Sequence, residues 1–405
     1  MGIVRLITKD SNMRKAILVL VFALALQSSF KSFAQADSQK VHHVAIFIPL
    51  YLDSAFDASN TYRFEKSVPH YFAAGLDFYQ GVTFALDSLE KNGQKIEVSV
   101  FDTKSEKGNI VKTVQDPEFS NVDMIIGAVS GTEYLQLASV AKQKTIPFIS
   151  ATYPNDGGVT GNPYLVIVNS KLNTHIQAVF NYTLKNLGTN KIVLFRRKNS
   201  QDDRISDAIK SYNSSGSGTL LNIQTVILED NFTSKDIKGS LDSVRQNVII
   251  CGSLDENFGR NLCLQSAELG PGYQLSIIGM PTWENIRELA KPELKGIPII
   301  YSTTLYSPEQ DPLNQQFVKS FFKLTYTRPS DMAFRGFEVT YVFSRLLQKY
   351  DSSILSNLND KSFRLLTDYE FKPIYWSKGS STPDYYENKR VYMVKRINGM
   401  TLRVN

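Results

Sequence analysis

Residues 123–152 constrain the fold of this chain more than any other stretch. The run D-M-I-I-G-A-V-S-G-T-E leads into a helical pattern and then I-P-F-I-S-A-T. Met124, Ile125 and Ile126 are apolar in succession, and Gly127 ends the run. Residues 146–149 repeat this pattern and end in Ser150, Ala151 and Thr152. Segments apolar on both faces predict parallel strands covered on each side by helices. Between the two runs, Leu135, Ala138, Val140 and Ala141 recur at helical spacing, with Ser130, Gly131 and Thr132 at the start. In open parallel sheets, ligands sit beyond the carboxyl ends of the strands. Free N–H groups at a helix start favour an anionic ligand group there. Taken singly, Ser130 reads equally well as a helix cap, and Ser150 and Thr152 as loop residues. Two such strand ends in succession make a shared binding rim the better reading.

The rest of the chain extends the same alternation. Residues 44–48 read as a strand closed by Pro49, residues 75–92 as a helix stopped by Asn92-Gly93, and residues 96–101 as a strand leading into Asp102. The 51–74 stretch between the first two has no clear period and is long for a connection, which is usual for functional loops. Turn chemistry crowds residues 155–163, and then strand and helix signals resume. Strands are predicted over 192–195, 223–228, 248–251, 275–279 and 297–301, with helices over 173–187, 206–212, 262–269, 315–326 and 331–349. Alternation of this kind implies parallel sheets with helices on both faces. At the end, V-Y-M-V-K-R-I-N-G-M-T-L-R-V predicts a hairpin over 390–403, because Asn398-Gly399 suits a two-residue left-handed turn.

The first 36 residues read as a targeting segment. Met13, the expected true start, precedes Arg14-Lys15 and an unbroken apolar run over 16–26, which is too short to span a bilayer. Ala34-Gln35-Ala36 matches an export cleavage pattern, so cleavage is expected near Ala36, and export implies a periplasmic location. The chain carries a formal charge of +6, but this segment holds five basic residues against Asp10. The remaining 40 basic and 38 acidic residues nearly balance, which removes the charge argument for a nucleic-acid partner. Cys251 and Cys263 are compatible with a disulfide in an exported protein or with two buried thiols.

The order of elements resembles the type I periplasmic solute-binding proteins of the branched-chain amino-acid-binding group. V-A-I-F-I-P-L resembles that family's first strand, and G-L-D-F-Y-Q-G-V-T-F-A-L-D-S-L its first helix. V-S-V-F-D-T resembles its second strand, I-I-G-A-V-S-G the loop after the third, and I-P-F-I-S-A-T the fourth. D-M-A-F-R-G-F-E-V-T-Y-V-F resembles the late helix that returns to the first lobe. The resemblance implies two doubly wound α/β lobes closing on a small ligand, here with a C-terminal β-hairpin. It implies Ser130, Ala151 and Thr152, with Ser150 beside them, as the ligand's carboxylate site, and an ABC transporter as partner. The family's second-lobe aromatic has no counterpart, since the first strand there ends in F-R-R-K-N-S. Asp255 and Glu284 lie near suitable strand ends for a ligand ammonium.

Two further candidates come from residue chemistry. Arg196, in the densest positive cluster, Arg196-Arg197-Lys198, would hold a carboxylate or phosphate if it faces the cleft; Asp202-Asp203 offset it if it does not. Trp283, after G-M-P-T, would stack on a ligand or pack in the core, and Tyr51 and Tyr153 are lesser aromatic candidates. Enzyme motifs are missing: the serine of G-A-V-S-G is one place late for a nucleophile elbow, and the four histidines have no metal-ligand spacing. The expected organisation is lobe one over 41–163 and 305–350, and lobe two over 164–304 and 351–405. The expected function is monomeric, cofactor-free binding of a small polar, carboxylate-bearing solute through Ser130, Gly131, Ser150, Ala151, Thr152, Arg196 and Trp283. An envelope sensor using residues 51–74 on a protein or cell-wall partner is the alternative, and an exported hydrolase is disfavoured.

Overall fold

The structure is a computed structural model that describes residues 40–65, 68–105, 109–215, 220–398 and 400–404. The targeting segment and Gly399 of the hairpin turn lie outside the described residues. Strands β1 (His42–Ile48), β2 (Ile96–Asp102), β3 (Met124–Gly127), β4 (Phe148–Ser150) and β5 (Leu165–Ile167) run parallel in the order β5-β4-β3-β1-β2. Between them lie α1 (Leu52–Ala55), α2 (His70–Lys91), α3 (Ile110–Gln115) and α4 (Gly131–Lys144). The chain then enters α5 (Leu172–Leu187) and builds a second sheet from β6 (Lys191–Arg196), β7 (Ile223–Ile227), β8 (Asn247–Cys251), β9 (Leu275–Ile278) and β10 (Ile299–Thr303). Helices α6 (Ser200–Ser215), α7 (Ser234–Lys238) and α8 (Glu256–Leu269) join those strands. The chain returns as α9 (Pro312–Thr325) and α10 (Asp331–Tyr350), adds β11 (Phe371–Ile374) and β12 (Tyr385–Asn388) to the first sheet, and ends as β13 (Tyr392–Ile397) and β14 (Met400–Arg403) on the second.

The topology decides where a ligand can sit. Each strand of the first sheet that leads to the other lobe, β5 and β12, does so from its carboxyl end, at residues 168–171 and 388–391. In the second sheet the return at residue 304 also leaves from a carboxyl end, that of β10. Both carboxyl rims therefore face the crossing segments, the arrangement that places a ligand between two such sheets.

Each sheet is covered on both faces. Ile46, Ile126 and Ile149 pack with Val339 and Phe343 on one side of the first sheet. Phe47, Ile125 and Phe148 pack with Leu137 and Ala141 on the other. Alternate residues thus feed opposite cores, as strand geometry requires. Helices α2 and α10 approach closely because Gly336 lies against the Phe78 carbonyl and Gly81 against that of Ala333. A Cβ at either site would overlap backbone.

Two expectations need correction. Residues 164–168 and the 371–388 region were expected in lobe two, yet β5, β11 and β12 belong to the first sheet. Leu165, Val166 and Ile167 are fully buried beside β4. The turn-rich 155–163 stretch is not a boundary: Gly161 N donates to Asp384 Oδ1 at 2.6 Å, and Asn162 N to the Asp384 carbonyl at 3.0 Å. Secondly, α2 starts five residues before the expected Gly75, so part of the aperiodic stretch is helix. The hairpin is present as β13 and β14, with Asn398 at φ 51°.

Among the described residues no helix is long and apolar enough to cross a membrane.

Candidate functional site

The residues just beyond each strand build the rim of the first sheet. After β1, the N–H groups of Leu50, Tyr51 and Leu52 all donate to the Asp102 carboxylate, at 2.8, 3.1 and 2.8 Å. Asp102 ends β2, so one side chain locks two strand ends together. After β3, Ser130 is exposed, extended and makes no side-chain capping bond to α4, and Gly131 begins the helix at φ +58°. After β4, Thr152 is half-buried. β3 and β4 pair with Gly127 opposite Ser150, so Ser130 and Thr152 lie on one rim.

Two of the expected rim residues point elsewhere. Ser150 is fully buried, and its Oγ has no hydrogen-bond partner among the described residues. Ala151 is equally buried in the core, and its N–H is taken by the Gly127 carbonyl at 2.9 Å. The rim therefore offers Ser130, Gly131 and Thr152. Ser150 and Ala151 hold the strand end beneath them.

From Thr152 a hydrogen-bonded chain crosses the hinge. Asn169 Nδ2 donates to the Thr152 carbonyl at 2.8 Å, and Thr304 Oγ1 donates to Asn169 Oδ1 at 2.9 Å. Arg335 contacts Thr304 Oγ1 through both terminal nitrogens at 3.2 Å. This path joins the end of β4, the first crossing, the end of β10 and α10. Beside it, Thr303 Oγ1 donates to Glu284 Oε1 at 2.7 Å. Burial, and then the Asp331 carboxylate, push Glu284 up to about 7, against the pull of Arg335 and Thr303. Asp331, exposed at the start of α10, is itself raised by the protein around its carboxyl, opposed by Arg335. His175 is buried with Nδ1 2.9 Å from Ser302 Oγ; burial, and then the charge of Arg335, hold it neutral by lowering it to about 3.

The crossings are tied to one another. Ser170 Oγ donates to the Asn388 carbonyl, and Asn388 Nδ2 to the Val168 carbonyl at 3.1 Å. Buried Glu387 accepts from Thr174 Oγ1 at 2.6 Å and pairs with Lys389 at 2.7 Å. Buried polar groups satisfied in this way fix one geometry for the hinge strands.

The second rim differs. Arg196 pairs with Asp203 at 2.7 Å, and its side chain is only 12% exposed. Its Nη1 also donates to the Arg197 carbonyl at 2.9 Å. Arg197 reaches Asp255 and Ser253, each at 3.2 Å, and lies 5.7 Å from the Phe258 ring centroid. Trp283 is a core residue rather than a rim residue. Its indole fills a slot left by Gly259 and Gly279, where a Cβ would overlap the ring. Cys251 and Cys263 are free and buried, and burial pushes the Cys251 thiol up to about 12.

Arg335, Asn169 and Thr304 were missed as site residues. The signal for Asn169 and Thr304 lay in short polar groups directly after apolar runs, N-S-K at 169–171 and S-T-T at 302–304, whereas Arg335 sits inside a helical run with no such signal. The two polar groups mark places where the chain changes sheets.

Known proteins share this fold. The family model for periplasmic binding proteins matches residues 71–362. No curated protein matches the sequence at a significant level. Among solved structures, a putative branched-chain amino acid ABC transporter protein from Rhodospirillum rubrum is similar at TM-score 0.65 and 11% identity, over 90% of this chain and all of that one. A leucine-binding protein from Thermotoga maritima is similar at TM-score 0.54 and 15% identity, over 90% of this chain and 98% of that one. An ABC transporter solute-binding protein from R. palustris, solved with benzoate, is similar at TM-score 0.54 and 15% identity, over 90% and 96%.

Proposed function

The chain belongs to the type I periplasmic binding protein family, and from that premise we propose that it closes two lobes on a small polar, carboxylate-bearing solute outside the cytoplasm and presents it to an ABC transporter. The family and the fold are those of solute-binding proteins. The observation that carries the reading is the rim after β3 and β4, where Ser130, Gly131 and Thr152 stand together beside the hinge. Hydroxyls and helix-start amides are donors suited to a carboxylate. In this reading Glu284 and Asp331 receive the ligand's ammonium, and Arg335 holds both acids in place. Solved relatives were crystallised with isoleucine and with benzoate, which have a carboxylate in common but not an amine. An amine site beside the carboxylate site would separate two such ligands. Hinge closure then brings the second rim over the first.

A thermal-shift screen with amino acids, aromatic carboxylates, peptides and cell-wall fragments tests this. A ligand at a hundred times its Kd adds about 2.7 kcal/mol. We expect an amino acid to raise the melting temperature and its amide to do nothing. No response to any carboxylate would overturn the proposal.

One observation favours a second reading, an envelope sensor or interaction protein. Rings follow one another along the loop after β1: Tyr51 to Tyr71 at 5.1 Å, Phe72 to Phe64 at 5.6 Å, and Phe56 to Tyr62 at 5.8 Å between centroids. Tyr71 and Leu52 are about half exposed on this surface. Response to a cell-wall fragment alone would support that reading.

A further inference from the structure

At the end of lobe two opposite the cleft, a cavity of about 290 Å³ opens between the start of β10 and the end of β13. Leu294, Ile297 and Ile299 form its floor, continuous with the core of the lobe. Lys291, Lys295 and Arg396 stand around it, and its wall contains no acidic residue. The mouth is fixed, because Gly296 N donates to Asn398 Oδ1 at 3.0 Å and so pins the loop before β10 to the hairpin turn. Arg396 sits on β13 opposite Ile299 of β10, between the apolar floor and solvent.

Four arginines elsewhere in the lobe are differently placed. Arg196, Arg197, Arg245 and Arg260 each have an acid within ion-pair distance. Three cations around an apolar floor, with no acid in the wall, form an incomplete site. A guanidinium is weakly hydrated and suited to a carboxylate, and apolar surface beside it rewards a hydrocarbon tail. A strongly charged ligand such as phosphate would gain nothing from the floor. A neutral hydrocarbon would leave the cations unanswered.

We propose that this cavity is a second binding site, separate from the interlobe cleft, for a carboxylate carried on a short apolar tail. The size is at the small end of ligand pockets, which run from ~300 Å³ upward. Either a free short-chain fatty acid or the carboxyl terminus of a peptide ending in an apolar residue supplies this chemistry.

Methyl NMR titration of the full mature chain tests it, with octanoate, octanol, and a tetrapeptide ending in leucine as free acid or amide. Octanoate should shift the methyls of Leu294, Ile297 and Ile299 saturably, and octanol at the same concentration should not. Arg396→Gln should weaken octanoate at least tenfold, and Lys295→Glu should weaken it severalfold if the first variant folds poorly. Thr152→Val should leave it unchanged, which separates this site from the cleft. Tighter binding of the peptide acid, lost in the amide, upholds the site and assigns it to a protein terminus. Equal shifts from octanol, unchanged affinity in both charge variants, or no saturable shift at these methyls would each overturn the proposal.

Discussion

The two rims that face the hinge are chemically unlike. On the first sheet the strand ends present Ser130, Gly131 and Thr152, short and uncharged. On the second they present Arg196 and Arg197, already neutralised by Asp203, Asp202 and Asp255. The lesson is that charge density in a sequence does not measure availability. Asp202 and Asp203 lie in the first turn of α6, seven residues or fewer after the arginines, so the loop folds the acids back onto them. An arginine held in a partly buried pair costs energy to release. A rim of hydroxyls and amides costs much less to desolvate.

Trp283 offers the largest test of this asymmetry, since it belongs to the second lobe's core rather than its rim. Trp283→Ala should cost ~3–5 kcal/mol in stability, the range for emptying a buried aromatic site. Chemical denaturation measures it. Ligand affinity at a temperature where the variant is folded should stay within a factor of about two, well under the ~1.4 kcal/mol of a tenfold change. A tenfold loss of affinity with little loss of stability would return Trp283 to the ligand site.

The acids between the lobes make a second test. Glu284 is raised to about 7 by burial and by Asp331, with Arg335 and Thr303 opposing and the Tyr301 hydroxyl nearby. Its folded pKa lies above the ordinary value of 4.5, so the folded state binds more protons than the unfolded chain between those two values. Stability should therefore fall as pH rises from about 4.5 to about 7, and level off above that. Allowing for the shared titration with Asp331, the effect is on the order of 1–2 kcal/mol. Glu284→Gln should flatten the profile in melting experiments across this window. An unchanged slope would show that Glu284 is not held above its ordinary value in the folded chain. If an ammonium binds here, it favours the ionised acids, so binding measured in buffers of different ionisation heat should release protons.

On the first rim, Thr152→Val removes one hydroxyl and keeps the shape. Losing one hydrogen bond to a charged group costs ~1.5–3 kcal/mol, so affinity for a carboxylate ligand should fall about tenfold or more. Calorimetric titration reads it. No change would leave Ser130 and the α4 amides as the whole of the carboxylate site.

Much of this architecture was legible because it depends on periodicity. The buried runs of β3 and β4, the helix between them and the Asn398 turn all arise from local pattern and turn chemistry. Sheet membership was less legible. Residues 165–167 carry an apolar run that suits either sheet, and what places them in the first is pairing with β4 and with the distant β12, together with Asp384, which binds the backbone at 161 and 162. Trp283 was ambiguous for a related reason: its slot is made by Gly259 and Gly279, one on α8 and one after β9, and no spacing announces a slot. Arg335 lies within an amphipathic helical run, where an arginine reads as solvated surface. Its role depends on Thr304, which is thirty-one residues earlier and reached through the return crossing.

Arg196 gives the smallest expected effect and separates the rims most directly. Its carboxylate partner is already present at 2.7 Å, and its Nη1 is spent on the Arg197 carbonyl. To hold a ligand it would have to exchange Asp203 for an acid of equal charge, with no gain in Coulomb energy and a new desolvation cost. Arg196→Ala should therefore change ligand affinity by less than twofold, while the freed Asp203, about half exposed, is rehydrated at little cost. Affinity that drops tenfold, and recovers in an Arg196→Lys variant, would mean that closure breaks the pair and delivers a cation to the ligand. In that case the second rim would be charged in the closed state, and the contrast between the lobes would belong only to the present conformation.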